Sequence, residues 1–187
     1  MINQIFILTD YKGFFGSKQK AKFYRGGMDL DKLSASFSKY GIQVAISSFT
    51  GLDVKNVDKE STLILYTSSE DKHGFYKAFI EDIIFHLDQA GYHILPPFAF
   101  LKAHNNKVAM ELLRERSTME SIKTINSDVF GTLDELIAQA DNFTFPVIIK
   151  SASGAMSRGV FKADNPKELV NFAKKISRSF NFKHNLK

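Results

Sequence analysis

The alternation of short apolar runs with amphipathic stretches over the first hundred residues restricts the fold more than any other feature of the chain. Ile5 to Leu8 is continuously apolar and ends in Thr9-Asp10. A run without polar alternation reads as a strand covered on both faces, as in a parallel sheet. Leu30, Leu33, Phe37 and Tyr40 then recur at helical spacing, with Asp29 placed as a cap and Gly41 as a stop. Ile42 to Ile46 and Thr62 to Tyr66 read as the second and third strands. Phe75, Phe79, Ile80, Ile83, Ile84 and Leu87 mark a long amphipathic helix that ends before Gly91. Tyr92 to Leu95 reads as a fourth strand, stopped by Pro96-Pro97. This succession predicts a small parallel α/β sheet with right-handed crossovers.

A different kind of segment follows. Phe98 to His104 joins the sheet to a second part, which puts a domain boundary near residue 101 and divides the chain into 1–101 and 102–187. In the second part, Phe145 and Val147 to Ile149 form a β-branched and aromatic run opened by Pro146, a strand with its proline where a strand tolerates one. Lys150 ends it, and Ser151 to Gly159 is built largely of small residues. Small side chains let backbone N–H groups approach an anion closely, and the lysine adds a fixed charge beside them. Phosphate is the guest such a loop suits, although a hairpin with a Ser/Gly-rich turn has the same composition. The Walker A order is not followed, because the lysine precedes the loop.

The pieces around this strand have a definite order. Asn105 to Arg116 reads as a helix, with Asn105 or Asn106 as its cap and Lys107 in its first turn. A cation near a helix amino terminus is electrostatically disfavoured. That placement suggests either a role for Lys107 or simple solvation. Ile122 to Ile125 reads as a short strand. Thr132 to Ala140 reads as a helix begun by a capping box of Thr132 and Glu135. After the loop, a strand from Val160 leads to Asn165-Pro166-Lys167-Glu168, a second capped start with proline at the first helical position.

This run, Asn106-Lys107, then Phe145-Pro146-Val147-Ile148-Ile149-Lys150, then Ser157-Arg158-Gly159-Val160, resembles the ATP-grasp family of nucleotide-dependent ligases. The likeness covers roughly residues 92–176. It implies a Rossmann-like sheet domain preceding the first α+β subdomain of an ATP-grasp domain. It further implies that Lys107 and Lys150 grip ATP phosphates, and that Ser153, Gly154, Ser157, Arg158 and Gly159 belong to the loop folding over them. Family members move the γ-phosphate to a carboxylate and let an amine attack the acylphosphate. Ser151, Ala152, Ser153 and Ala155 stand where many members have glycine, so a stiffer loop is expected. The family's second half, with its adenine strand, magnesium ligands and arginine, would follow residue 187. An amino-terminal portion of a longer ligase is therefore expected, with ATP and a small carboxylate as ligands and Mg²⁺ held only by the longer protein. The other reading is a non-catalytic nucleotide-binding or interaction module.

The connection Asp10 to Gly27 is long for its place. It interleaves Lys12, Lys18, Lys20, Lys22 and Arg25 with Tyr11, Phe14, Phe15, Phe23 and Tyr24. Ligands collect outside the carboxyl ends of parallel strands. This loop could therefore meet an anionic substrate, or form a short helix from Ser17 to Tyr24 that packs its aromatics. No G-x-G-x-x-G follows the first strand, which weakens a dinucleotide reading.

Charge bears on partners. The formal net charge is +5, and residues 161–187 carry all of it, through seven cations against Asp164 and Glu168. Basicity confined to one helix and tail reads as a solvated face rather than a nucleic-acid surface. Cysteine is absent, which excludes disulfides and thiolate chemistry. No apolar run approaches a membrane span, and Met1 to Leu8 lacks the basic start of a secretory signal, so a cytoplasmic location is expected. His73, His86, His93, His104 and His184 are too scattered to suggest a metal site.

Overall fold

Strand β1, Gln4–Thr9, is the hub of a four-stranded parallel sheet, paired on one side with β2, Gln43–Ser48, and on the other with β3, Thr62–Tyr66. A third pairing adds β4, His93–Leu95, giving the order β2-β1-β3-β4. The computed structural model describes residues 1–16, 27–68, 75–153 and 159–181. Two compact units divide it, Met1–Leu101 and Lys102–Lys187.

The period of two along β1 explains its unbroken apolar run. Ile5 and Ile7, with Leu63 and Leu65 of the neighbouring strand, pack against Leu30, Leu33 and Phe37. Those three residues are the inner side of helix α1, Leu30–Ser38, whose first turn is capped by the Asp29 side chain. On the opposite face, Leu8, Ile64 and Tyr66 meet Ile80, Ile84 and Leu87 of helix α2, Phe75–Gln89. Burying each such aliphatic side chain contributes about 1.5–3 kcal/mol. Both layers are thus set by strands that offer no polar face. Helix α1 stops earlier than its sequence pattern suggests, and Tyr40 lies beyond it, 82% exposed, rather than on the packed side. Phe75 at the start of α2 also stays outside the core, at 75% exposure.

Helix α3, Phe98–Ala103, occupies the stretch read as a connector, and Leu101 buries in the core of the first unit. Beyond it come helix α4, Lys107–Glu115, and helix α5, Glu120–Lys123. The strand expected at Ile122 to Ile125 is not formed: α5 occupies Ile122, and Ile125 is 56% exposed. The cause lies in Arg114, whose guanidinium takes the Ile122 carbonyl at 3.0 Å and the Lys123 carbonyl at 3.5 Å. Those bonds tie the segment to α4.

Helix α6, Leu133–Gln139, begins with the capping box of Thr132 and Glu135. Strands β5, Val147–Lys150, and β6, Val160–Ala163, form an antiparallel pair, and helix α7, Pro166–Asn181, follows. Val147, Ile149 and Ala163 turn toward Leu136 of α6 and toward Leu169 and Ala173 of α7. The period of two places Ile148, Lys150, Val160 and Lys162 on the other face, where Ile148 is 55% exposed. No helix among the described residues is long and apolar enough to cross a membrane.

Candidate functional site

The loop after β5 is fixed at both roots. Ser151 continues the strand ladder by donating its N–H to the Gly159 carbonyl at 3.0 Å. Its hydroxyl turns back to donate to the Ser153 carbonyl at 2.8 Å, and the residue is buried. Gly159 sits at φ +70, where an added Cβ would lie 3.0 Å from the Ser151 oxygen. A glycine is needed there on both counts.

The same loop root is strapped to helix α4. Asn106 caps that helix, its side-chain oxygen accepting the Ala109 N–H at 3.1 Å. An isolated antiparallel bridge pairs Asn106 with Ser153. The Lys107 N–H donates to the Ala152 carbonyl at 2.8 Å. Asn105 enters the cap at φ +68, the left-handed region that asparagine tolerates better than most residues. The backbone therefore brings together the two segments that carry Lys107 and Lys150. Lys107 is half-buried, whereas Lys150 is exposed at the end of β5 and makes no ion pair among the described residues.

One turn beyond Lys107 stands Glu111. Its Oε2 accepts from the Arg114 Nε at 2.6 Å and from the Ser127 hydroxyl at 2.8 Å. Arg114 also donates to the Ser127 oxygen at 2.8 Å, so the network pins the segment after α5 onto α4. Hydrogen bonds from Arg114 and Ser127, and then the charges of Arg114 and Lys150, hold the Glu111 carboxyl below the ordinary carboxylate range; partial burial opposes them.

Of the residues singled out in the sequence, Lys107, Lys150, Ser153 and Gly159 meet at this junction. Gly154, Ser157 and Arg158 lie outside the described residues. Glu111 and Arg114 were not singled out, and Ser151 was named only as part of the small-residue loop. A serine and a helical Glu-Arg pair carry no pattern that would have separated them from solvated residues. The acids of the last helix start are structural: Asn165 accepts the Glu168 N–H at 3.0 Å, and Glu168 accepts the Asp164 N–H at 2.9 Å.

In the first unit, the turn after β1 is closed on itself. Asp10 accepts the N–H groups of Lys12 and Phe14 at 2.9 and 3.0 Å, and Phe15 buries beneath. Gly16 donates to the Thr67 hydroxyl at 2.9 Å, joining the ends of β1 and β3. Lys18, Lys20, Lys22, Arg25, Phe23 and Tyr24, with the expected helix from Ser17 to Tyr24, lie outside the described residues, as do His73 and His184. Among the described residues, no group of three or more His, Cys, Asp or Glu is placed to share a metal ion.

These features define a parallel α/β unit followed by a small α+β unit with a strapped Ser/Gly loop. No protein-family model matches the chain, and no curated protein matches it. Among solved structures, the chain is similar to the biotin carboxylase domain of Hydrogenobacter thermophilus 2-oxoglutarate carboxylase, solved with MgADP, ADP and bicarbonate. That match covers 94% of this chain and 40% of the other, at 12% identity and a TM-score of 0.47. A RimK domain protein ATP-grasp from Sphaerobacter thermophilus is matched over 96% of this chain and 59% of its own, at 11% identity and a TM-score of 0.45. D-alanyl-alanine synthetase A from Vibrio cholerae is matched over 97% and 57%, at 14% identity and a TM-score of 0.40. The chain thus spans between 40% and 59% of the length of these three structures.

Proposed function

We propose that the second unit grips the phosphates of ATP. On this reading the chain is the nucleotide-binding front half of an ATP-dependent ligase that activates a carboxylate as acylphosphate and joins it to an amine. The observation that carries the proposal is the strap from Asn106 and Lys107 to Ala152 and Ser153, which unites a helix amino terminus, two lysine-bearing segments and the root of a small-residue loop.

The electrostatics favour an anion at that junction. The amino terminus of α4, its Lys107 and Ala109 N–H groups already taken by Ala152 and Asn106, presents the positive end of the helix dipole. Lys107 adds a cation where the dipole disfavours one, and Lys150 adds another at the strand end. A polyphosphate relieves all three at once. Beside Lys150, the exposed Ile148 offers aliphatic surface against which a flat base can lie.

The catalytic logic follows from the family resemblance. The γ-phosphoryl group leaves ADP for a carboxylate oxygen; the amine then attacks the acyl carbon and phosphate departs. Such chemistry needs developing negative charge met by donors already in position. Among the described residues no three His, Cys, Asp or Glu side chains are placed to share a magnesium ion, and Glu111 at the junction gives one oxygen to Arg114 and Ser127. Neutralising the phosphates falls to Lys107, Lys150 and backbone N–H groups.

Calorimetric titration of ATP into the chain and into Lys150→Ala tests the reading. The variant should bind more weakly by about 1–3 kcal/mol, the scale of a charge-assisted contact. Equal affinity in both proteins would remove Lys150 from the site.

A further inference from the structure

We infer that Ser151 is a positioning residue for phosphate: its hydroxyl holds the Ser153 carbonyl turned back toward the end of β5, so that this oxygen does not face an incoming anion. The inference rests on the proposed ATP-binding role of the loop.

A peptide carbonyl is the negative end of a dipole, and one directed at a polyphosphate repels it. A loop that accepts phosphate through its backbone must therefore hold its carbonyls away as well as offer its N–H groups. Three carbonyls at this root are paired. That of Ala152 takes the Lys107 N–H at 2.8 Å, and that of Gly159 takes the Ser151 N–H at 3.0 Å. That of Ser153 takes the Ser151 hydroxyl at 2.8 Å. The first two are backbone pairings open to any residue with an N–H. The third depends on one side-chain oxygen.

Burial separates Ser151 from the residues it directs. It is 7% exposed, so water competes little for its hydroxyl, whereas Ala152 and Ser153 are exposed. Exposed residues with short side chains are oriented by hydrogen bonds rather than by packing. Gly159 leaves room for the arrangement, since a Cβ there would stand 3.0 Å from the Ser151 oxygen. The period of two puts Ser151 on the same face as Val147 and Ile149, which pack into the core of the second unit. For stability alone a third aliphatic side chain would suit that buried place. A hydroxyl there has a use only through the carbonyl it holds.

The test compares the affinities of ATP and AMP, by calorimetry, for the parent, Ser151→Ala and Ser151→Thr. Repulsion from a released carbonyl grows with phosphate charge. Ser151→Ala should therefore lower the ratio of ATP to AMP affinity by about threefold or more, the scale of one hydrogen bond between neutral groups. Ser151→Thr keeps a hydroxyl and should keep the parent ratio. Both nucleotides meet the same protein, so any loss of folded material cancels from the ratio. A hydroxyl that served stability alone would weaken both nucleotides alike. An unchanged ratio in Ser151→Ala would overturn the inference, and so would an equal fall in Ser151→Thr. If the parent itself binds ATP no more tightly than AMP, the reading of the loop as a phosphate grip fails instead, and the two failures are distinguishable.

Discussion

The backbone N–H of Lys107 donates to the carbonyl of Ala152 at 2.8 Å, and through this bond the start of α4 and the exit from β5 become one object. Closing so long a stretch of chain costs entropy, and the cores built by Leu136, Ala163 and Leu169 offset it. The strap then fixes where a helix amino terminus, a strand end and a loop root stand within the unit.

Asn106 serves this junction twice, through its cap and through its bridge to Ser153. Asn106→Ala removes the side-chain acceptor for the Ala109 N–H and should cost about 1 kcal/mol. The expected readout is a lower urea midpoint with an unchanged slope. Asn106→Asp keeps the cap and should retain stability, yet it sets a carboxylate against the proposed phosphate site and should weaken ATP binding. Equal stability of all three proteins would show that the cap is not holding α4.

Gly159 is the second lever on the loop. Alanine at φ +70 is strained by about 1–2 kcal/mol, and its Cβ would press on the Ser151 hydroxyl. Gly159→Ala should therefore lower stability and disturb the Ser151 to Ser153 bond that shapes the turn. Thermal unfolding of the variant tests this. A melting temperature matching the parent would mean that the turn relaxes at no cost.

The two central strands, β1 and β3, were legible because they carry no polar face. Ile5, Ile7, Leu63 and Leu65 cover one side while Leu8, Ile64 and Tyr66 cover the other, so burial on both faces appears as an unbroken run. The capping box of Thr132 and Glu135 was equally plain, since a threonine and a glutamate three apart have a local meaning. Ile122 to Ile125 was misleading because a four-residue apolar run suits a strand or a helical turn alike. What decides it is Arg114, reaching across from another element. Glu111 escaped for the same reason: its partners are Arg114 and Ser127, and only the fold makes that oxygen a shared acceptor.

Tyr66 offers a test inside the first unit. Its hydroxyl is buried and has no hydrogen-bond partner among the described residues. Tyr66→Phe removes a desolvated polar group without opening a cavity, so stability at neutral pH should hold or rise by up to about 1 kcal/mol. Burial first, and then the negative charge of Asp88, push the Tyr66 hydroxyl well above the usual 10.0. The unfolded chain ionises near that ordinary value while the folded one keeps its proton. Stability present below this pH is accordingly lost as pH rises above it. Denaturant midpoints at neutral and strongly alkaline pH should show the parent losing more than Tyr66→Phe. A clear loss of stability in the variant at neutral pH would reveal a partner for the hydroxyl.

Glu111 sets the acid side of the second unit. Its folded carboxyl is held below the ordinary value of 4.5, chiefly by hydrogen bonds from Arg114 and Ser127. A depressed folded value means that the charged form contributes stability above the unfolded value, and that this contribution fades as pH falls through the folded one. Glu111→Gln retains an acceptor but cannot titrate. The gap in denaturant midpoint between the parent and Glu111→Gln should therefore be full at neutral pH and close as the solution is acidified below about 4. Ser127→Ala removes one of the two donors, so its gap to Glu111→Gln should be smaller at neutral pH and finish closing at a higher pH. A gap that stays constant from neutral to acid would mean that the Glu111 carboxyl titrates alike in the folded and unfolded chains. The network around Arg114 would then be packing without charge.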